Sequence, residues 1–198
     1  MAITILKRYQ NVLLLLLVLA GIGQILFVVL RSRPMIDSRV AESSFLVGDT
    51  VPSIVGYLQD GALTLIPLEG DPGTVTVLYA FHSECGYCDD VAPAWASHFS
   101  RARREAPAIQ RIAVTLDSPE QAAAYAGQFG WQVELLSVLE LGETSREQRL
   151  VSRTPWVFIF DADGVLRYNE HGDELERIEQ AVASISAAGS QSRNGAGQ

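Results

Sequence analysis

The stretch Val75-Thr76-Val77-Leu78-Tyr79-Ala80-Phe81-His82-Ser83-Glu84-Cys85-Gly86-Tyr87-Cys88 decides how the rest of the chain is read. Its first seven residues form an unbroken apolar and β-branched run, which predicts a buried strand. Its end holds both cysteines of the protein. Asp89 to Glu105 then reads as a helix, so the C-x-x-C falls where a strand ends and a helix begins. The unpaired N–H groups and positive dipole end of that helix favour a thiolate on the first cysteine. Cys85 is therefore expected to be the exposed nucleophile. Cys88, one turn into the helix, is expected to be the resolving thiol.

A C-x-x-C also fits half a zinc site, a structural disulfide, or two unrelated core thiols. A closed zinc site takes four ligands. The chain has no other cysteine, and His82, His98 and His171 are not spaced as a second ligand pair. A disulfide closing so short a loop contributes little chain-entropy stabilisation. The strand-then-helix context favours redox chemistry over these readings.

The 198 residues suffice for one ordinary domain plus extensions, and 48% hydrophobic content allows a real core. The formal charge is −8, and apart from Lys7 and Arg8 near the amino terminus the body is more acidic still. Such a body argues against nucleic acid as a partner. Two cysteines cannot make a disulfide-dense secreted scaffold.

Val12 to Leu30 is nearly continuous apolar sequence, interrupted by one strongly polar residue, Gln24. At helical rise it comes close to the thickness of a hydrocarbon core. A cleaved signal peptide would use Val12 to Leu19 as its apolar region and Val18-Leu19-Ala20 as its cleavage site. The run continues through Ile22, Ile25, Leu26, Phe27, Val28 and Val29, which a signal peptide does not need. An uncleaved transmembrane anchor at 12–30 is expected, after a cytoplasmic tail at 1–11. Lys7 and Arg8 on one side nearly balance Arg31, Arg33 and Arg39 on the other, so charge alone does not orient it. A short tail is the easier end to leave inside, which puts the larger domain outside the cytoplasm.

A polar linker, 31–46, leads to Val47-Gly48-Asp49-Thr50-Val51-Pro52. Ile54 to Leu58 and Ala62 to Ile66 flank Asp60-Gly61, a hairpin pattern. In the helix after the cysteines, Val91, Trp95, Phe99 and Ala102 make an apolar face, Pro93 is expected to kink it, and His98 is expected on its surface. Ile109 to Leu116 reads as a strand. Ser118-Pro119-Glu120-Gln121 is a capping box for a helix ending near Gly130. Val133 to Val138 is a short strand, and Thr144-Ser145-Arg146-Glu147 reads as a second capping box. Trp156 to Phe160 and Val165 to Tyr168 flank the Asp163-Gly164 turn. Asp173 then caps a helix with the stripe Leu175, Ile178, Val182 and Ile185. The domain is expected to end at Ala187, leaving 188–198 disordered. No internal repeat is evident. The order predicts an α/β domain, 47–187, with a central mixed sheet and helices on both faces.

Four elements of this pattern resemble the thioredoxin-like superfamily. More closely they resemble its membrane-anchored bacterial thiol-disulfide oxidoreductases of the TlpA and ResA type, related to the peroxiredoxin-like (AhpC/TSA) group. The elements are Val47 to Pro52 with the Asp60-Gly61 hairpin; Cys85-Gly86-Tyr87-Cys88 with Pro93 following; Val114-Thr115-Leu116-Asp117; and Arg153-Thr154-Pro155-Trp156-Val157-Phe158-Ile159-Phe160-Asp161-Ala162-Asp163-Gly164. The resemblance implies a thioredoxin-like fold from about Val47 to Ala187 and a redox-active Cys85–Cys88 disulfide. It implies that Pro155 is a cis-proline facing the cysteines, with Thr154, Gly86 and Tyr87 at the substrate. It implies no cofactor or metal. Expected partners are protein thiols and disulfides, apocytochromes or metalloenzyme precursors among them, and a membrane electron donor. The expected location is a bacterial inner membrane, single-pass, with the carboxy-terminal domain facing the periplasm or exterior.

Three positions depart from the family pattern. Glu84 stands where a tryptophan is usual, Tyr79 where thioredoxin has a buried acid, and Gly86-Tyr87 is not the usual intervening pair. Glu84 opposes a thiolate on Cys85, and His82, if protonated, favours it. Two other functions remain open. One is a copper-delivery metallochaperone using Cys85, Cys88 and a histidine, with His171 the candidate. The other is a non-catalytic binding module.

Overall fold

The computed structural model describes residues 45–105, 109–142 and 145–195, together with Leu19, Ile22 and Gln24. The chain divides into two units, Met1–Ser44 and Phe45–Gln198. Apart from those three residues, which are helical, the expected tail and anchor lie outside the described residues, as does the linker up to Ser44. Among the described residues no helix is long and apolar enough to cross a membrane.

The second unit is built on a seven-stranded sheet. Its strands are β1 (Ser53–Tyr57), β2 (Leu63–Pro67), β3 (Thr76–Phe81), β4 (Gln110–Thr115), β5 (Glu134–Ser137), β6 (Trp156–Phe160) and β7 (Leu166–His171). Their order across the sheet is β2-β1-β5-β4-β3-β6-β7. The helices are α1 (Gly86–Glu105), α2 (Pro119–Phe129), α3 (Arg146–Leu150) and α4 (Leu175–Gly195). β3, β4 and β5 pair in parallel through the crossovers α1 and α2, and β6 runs antiparallel to β3. The sheet is mixed, as the alternation of elements predicts.

Every residue of β3 is buried, so the run that reads as a two-sided buried strand is an interior strand of the sheet, between β4 and β6. Its side chains feed two cores. Val77, Tyr79 and Phe81, with Val75 just before the strand, pack with Ala92, Trp95 and Phe99 of α1, Ala122 and Tyr125 of α2, and Ile178 and Val182 of α4. Leu78 and Ala80 join Ile54, Ile66, Ile112, Leu136, Leu150 and Phe158 on the opposite face. All three long helices therefore share the first face. The second is closed by the short α3 and by the opening segment through Phe45 and Val51, a less even division than the sequence order suggests.

The hairpin at Asp60-Gly61 forms as expected, through a three-residue loop between Leu58 and Ala62, with Gly61 at a positive φ of 77° and Asp60 Oδ1 accepting the Ala62 N–H. The Ser118 capping box is complete: its hydroxyl accepts the Gln121 N–H and the Gln121 side chain accepts the Ser118 N–H. Other boundaries need correction. Helix α1 starts at Gly86, not Asp89, and runs on through Pro93. The cap of α3 is Ser145, one residue later than Thr144; its hydroxyl accepts the Gln148 N–H, but the Gln148 side chain donates to the Val138 and Leu139 carbonyls, so no reciprocal box closes. A 3-10 turn at Leu139–Leu141 has no counterpart in the sequence reading. The last helix does not stop at Ala187 but continues to Gly195. A Cβ on Gly189 would meet Gly73 at 3.0 Å, so a glycine lets this extension lie against the turn before β3. The Ala, Ser and Gln content of this stretch is compatible with helix.

His98 is the clearest reversal. The α1 pattern places it on the surface, yet it is 1% exposed. Its Nε2 shares a hydrogen bond of 2.6 Å with the Tyr79 hydroxyl and lies 3.4 Å from Glu179. Glu179 of α4 also pairs with Arg111 of β4 at 3.4 Å. A polar group can be buried where other polar groups meet it, and these partners come from strands and a helix far away in sequence.

Candidate active site

Cys85 sits at the N-cap of α1. An N-cap side chain ordinarily offers an oxygen to the free N–H groups of the first turn; here the acceptor is sulfur. The Cys88 N–H lies 3.3 Å from Cys85 Sγ, and the same N–H also reaches the Cys85 carbonyl at 2.9 Å. Both cysteines are free thiols. Cys85 is partly exposed and Cys88 is 1% exposed.

The two thiols differ in acidity. Partial burial pushes the Cys85 thiol up, but hydrogen bonds from the Cys88 and Thr154 side chains and from the Cys88 and Tyr87 N–H groups outweigh it, and its pKa is lowered. Burial, together with the hydrogen bond it makes to Cys85, pushes Cys88 up to about 12. The helix end thus favours a thiolate at Cys85. Glu84 is exposed, and neither it nor the His82 imidazole is among the leading influences on Cys85.

Thr154 and Pro155 arrive from the start of β6, the strand beside β3. The Thr154–Pro155 peptide bond is cis, and Cys85 Sγ lies 3.6 Å from the Thr154 carbonyl oxygen as its hydrogen-bond donor. Residues far apart in sequence are thus brought together. Pro155 is buried and its carbonyl accepts the Gly172 N–H at 3.2 Å. Gly172 is in turn locked to α1. Its carbonyl accepts Trp95 Nε1–H at 2.7 Å, and a Cβ at this position would overlap the Trp95 indole. The helix carrying the cysteines and the segment carrying the proline are therefore braced against each other.

Gly86 is exposed at the first helical position with open space around it, so packing does not require glycine there. Tyr87, between the two cysteines in the chain, is 74% exposed. His171, the candidate third ligand for copper, has its Nδ1 at 2.9 Å from Asp173 and its ring edge-on to Trp156. Among the described residues no group of three or more His, Cys, Asp or Glu is arranged to hold a metal ion. Sequence reasoning missed the loop contacts. Ser83 donates from its N–H and its hydroxyl to the buried Asp117, both at 2.8 Å. Asp117 appears in the sequence only as a strand-ending acid.

No protein-family model matches the sequence, and no curated protein matches it. Solved structures do. A candidate thiol:disulfide interchange protein DsbE from Chlorobium tepidum is 22% identical, with a TM-score of 0.57 over 72% of this chain and 99% of its own. The thioredoxin domain of a thiol-disulfide oxidoreductase from Bacteroides vulgatus is 17% identical, with a TM-score of 0.56 over 70% and 99%. An uncharacterized conserved protein from Geobacillus kaustophilus is 19% identical, with a TM-score of 0.61 over 73% and 84%. The fold is thioredoxin-like.

Proposed function

We propose that this protein is a membrane-tethered thiol-disulfide oxidoreductase acting on protein substrates outside the cytoplasm. The observation that supports it best is the inequality of the two sulfurs. Cys85 is partly exposed and held acidic, while Cys88 is buried and held protonated. Exchange needs this division. The Cys85 thiolate attacks a substrate disulfide, one substrate sulfur leaves as a thiolate, and a mixed disulfide forms. Cys88 then attacks the Cys85 sulfur, giving up its proton to the departing substrate thiolate. The products are a substrate dithiol and a Cys85–Cys88 disulfide, two electrons having passed to the substrate. A membrane electron donor would restore the dithiol. The Thr154 carbonyl and Pro155 would border the docked substrate chain, and Gly86 and Tyr87 its other side.

The tether rests on Val12 to Leu30, apolar beyond any plausible cleavage site, with the domain that opens near Val47 on the far side of a bacterial inner membrane. The names carried by two of the structural neighbours support the chemistry. The full chain in detergent, supplied with dithiothreitol, is expected to reduce insulin disulfides well above the rate of dithiothreitol alone. A background rate would overturn the proposal.

A further inference from the structure

The loop between β3 and α1 is held by a residue from another strand. Asp117, just beyond β4, is 4% exposed. Its Oδ2 accepts the Ser83 N–H and the Thr115 hydroxyl, each at 2.8 Å, and its Oδ1 accepts the Ser83 hydroxyl at 2.8 Å. His82 Nε2 stands 3.7 Å from Oδ1, and His82 Nδ1 accepts the Glu84 N–H at 3.1 Å. Asp117 is fixed in its turn. Its N–H donates to Thr115 Oγ1 at 3.0 Å, and its carbonyl accepts the Ser137 hydroxyl of β5 at 2.6 Å. A carboxylate this buried needs such partners, and two of the three donors to it belong to Ser83.

The held loop meets both sulfur-bearing residues. The His82 carbonyl accepts the Cys85 N–H at 3.1 Å, and a backbone hydrogen bond from His82 bears on the Cys88 sulfur. Hydrogen bonds weaken steeply with small changes of distance and angle. A displaced loop would weaken the contact between Cys85 Sγ and the Cys88 N–H, 3.3 Å apart.

We propose that Asp117 is a positioning residue for thiol-disulfide exchange: by clamping Ser83 it keeps the Cys85 sulfur on the N–H groups that open α1. The proposal rests on the exchange reading of the cysteine pair. Two other roles make different demands. A buried negative charge acting directly would oppose a thiolate, so its removal would make Cys85 more acidic. A purely structural anchor would change stability and leave Cys85 as it was.

The test follows iodoacetamide labelling of Cys85 across pH, with thermal melting, in the reduced full chain and in Asp117→Ala, Asp117→Asn and Ser83→Ala. Alanine removes every side-chain acceptor. Its apparent Cys85 pKa is expected to rise by about half a unit or more, a roughly three-fold or greater loss of labelling rate below the pKa. Asparagine keeps one oxygen for the Ser83 N–H and the Thr115 hydroxyl, and its amide N–H can donate to the Ser83 hydroxyl, which turns to accept. It carries no charge, yet its labelling rate is expected to return to within about two-fold of the parent chain. Ser83→Ala loses one arm of the clamp and is expected to shift the same way by less; it decides the matter if Asp117→Ala does not fold. A fall in the Cys85 pKa in both Asp117 variants, or an unchanged curve in Ser83→Ala and in any folded Asp117→Ala, overturns positioning. If the parent chain exchanges disulfides while the variants label like it, positioning alone fails. If the parent chain does not exchange, the reading of the cysteine pair fails with it.

Discussion

Replacing Cys88 with Ala is expected to turn a protein that cycles into one that stays joined to its substrates. The Cys85 sulfur retains the Tyr87 and Cys88 N–H groups of the helix end in that variant, because these come from the backbone. Attack on a substrate disulfide should therefore proceed. Release requires a second sulfur behind the first, and Cys88 is the only other cysteine in the chain. Mixed disulfides should accumulate, visible as reductant-sensitive adducts whose partners can be read by mass spectrometry, while turnover falls to background. Replacing Cys85 with Ala should abolish both turnover and adducts, since the buried, strongly protonated Cys88 is a poor nucleophile. Adducts in the Cys85 variant would contradict the division of roles.

Stability is expected to fall between neutral pH and pH 4 through one buried imidazole. Burial lowers His98 to about 4, and the nearby charges of Arg111 and Arg101 act in the same direction. Glu179, at 3.4 Å, would favour the imidazolium, but burial has the larger effect. Above the ordinary value near 6.5 neither the folded nor the unfolded chain holds the proton, and the neutral packing contributes in full. Between 6.5 and 4 the unfolded chain takes up a proton that the native chain refuses, so stability falls as pH falls. Below 4 both states are protonated and the loss levels off. The whole window is on the order of 3 kcal/mol at about 1.4 kcal/mol per pH unit. His98→Gln keeps a hydrogen-bonding group for Tyr79 and cannot titrate. Denaturant unfolding of both proteins should show a stability gap at pH 7 that narrows by roughly that amount toward pH 4. A constant gap would mean that His98 does not titrate as described.

The fold was legible where pattern and burial agree. β3 carries its two-sided burial in six successive apolar or β-branched residues, and α2 announces its start and stop with Ser118, Pro119, Gln121 and Gly130. The cysteine pair was legible for the same reason, since a strand end and a helix start flank it. The cis-proline was not legible from local pattern; only the likeness of Thr154-Pro155 to a family motif suggested it. His98 was misread because helical periodicity reports which face a residue occupies, not whether Tyr79 and Glu179 wait there with partners for it. Asp117 shows the same limit. Its role depends on Ser83, which lies on a different loop and is brought near by the parallel pairing of β3 with β4.

The most direct measurement is alkylation of the reduced protein across pH, followed by peptide mapping. Cys85 should label first, with a half-point below that of an ordinary thiol, while Cys88 stays unlabelled until the protein is unfolded or strongly alkaline. Labelling of Cys88 before Cys85, or of both together at the pH of a free thiol, would contradict the assignment of Cys85 as the nucleophile.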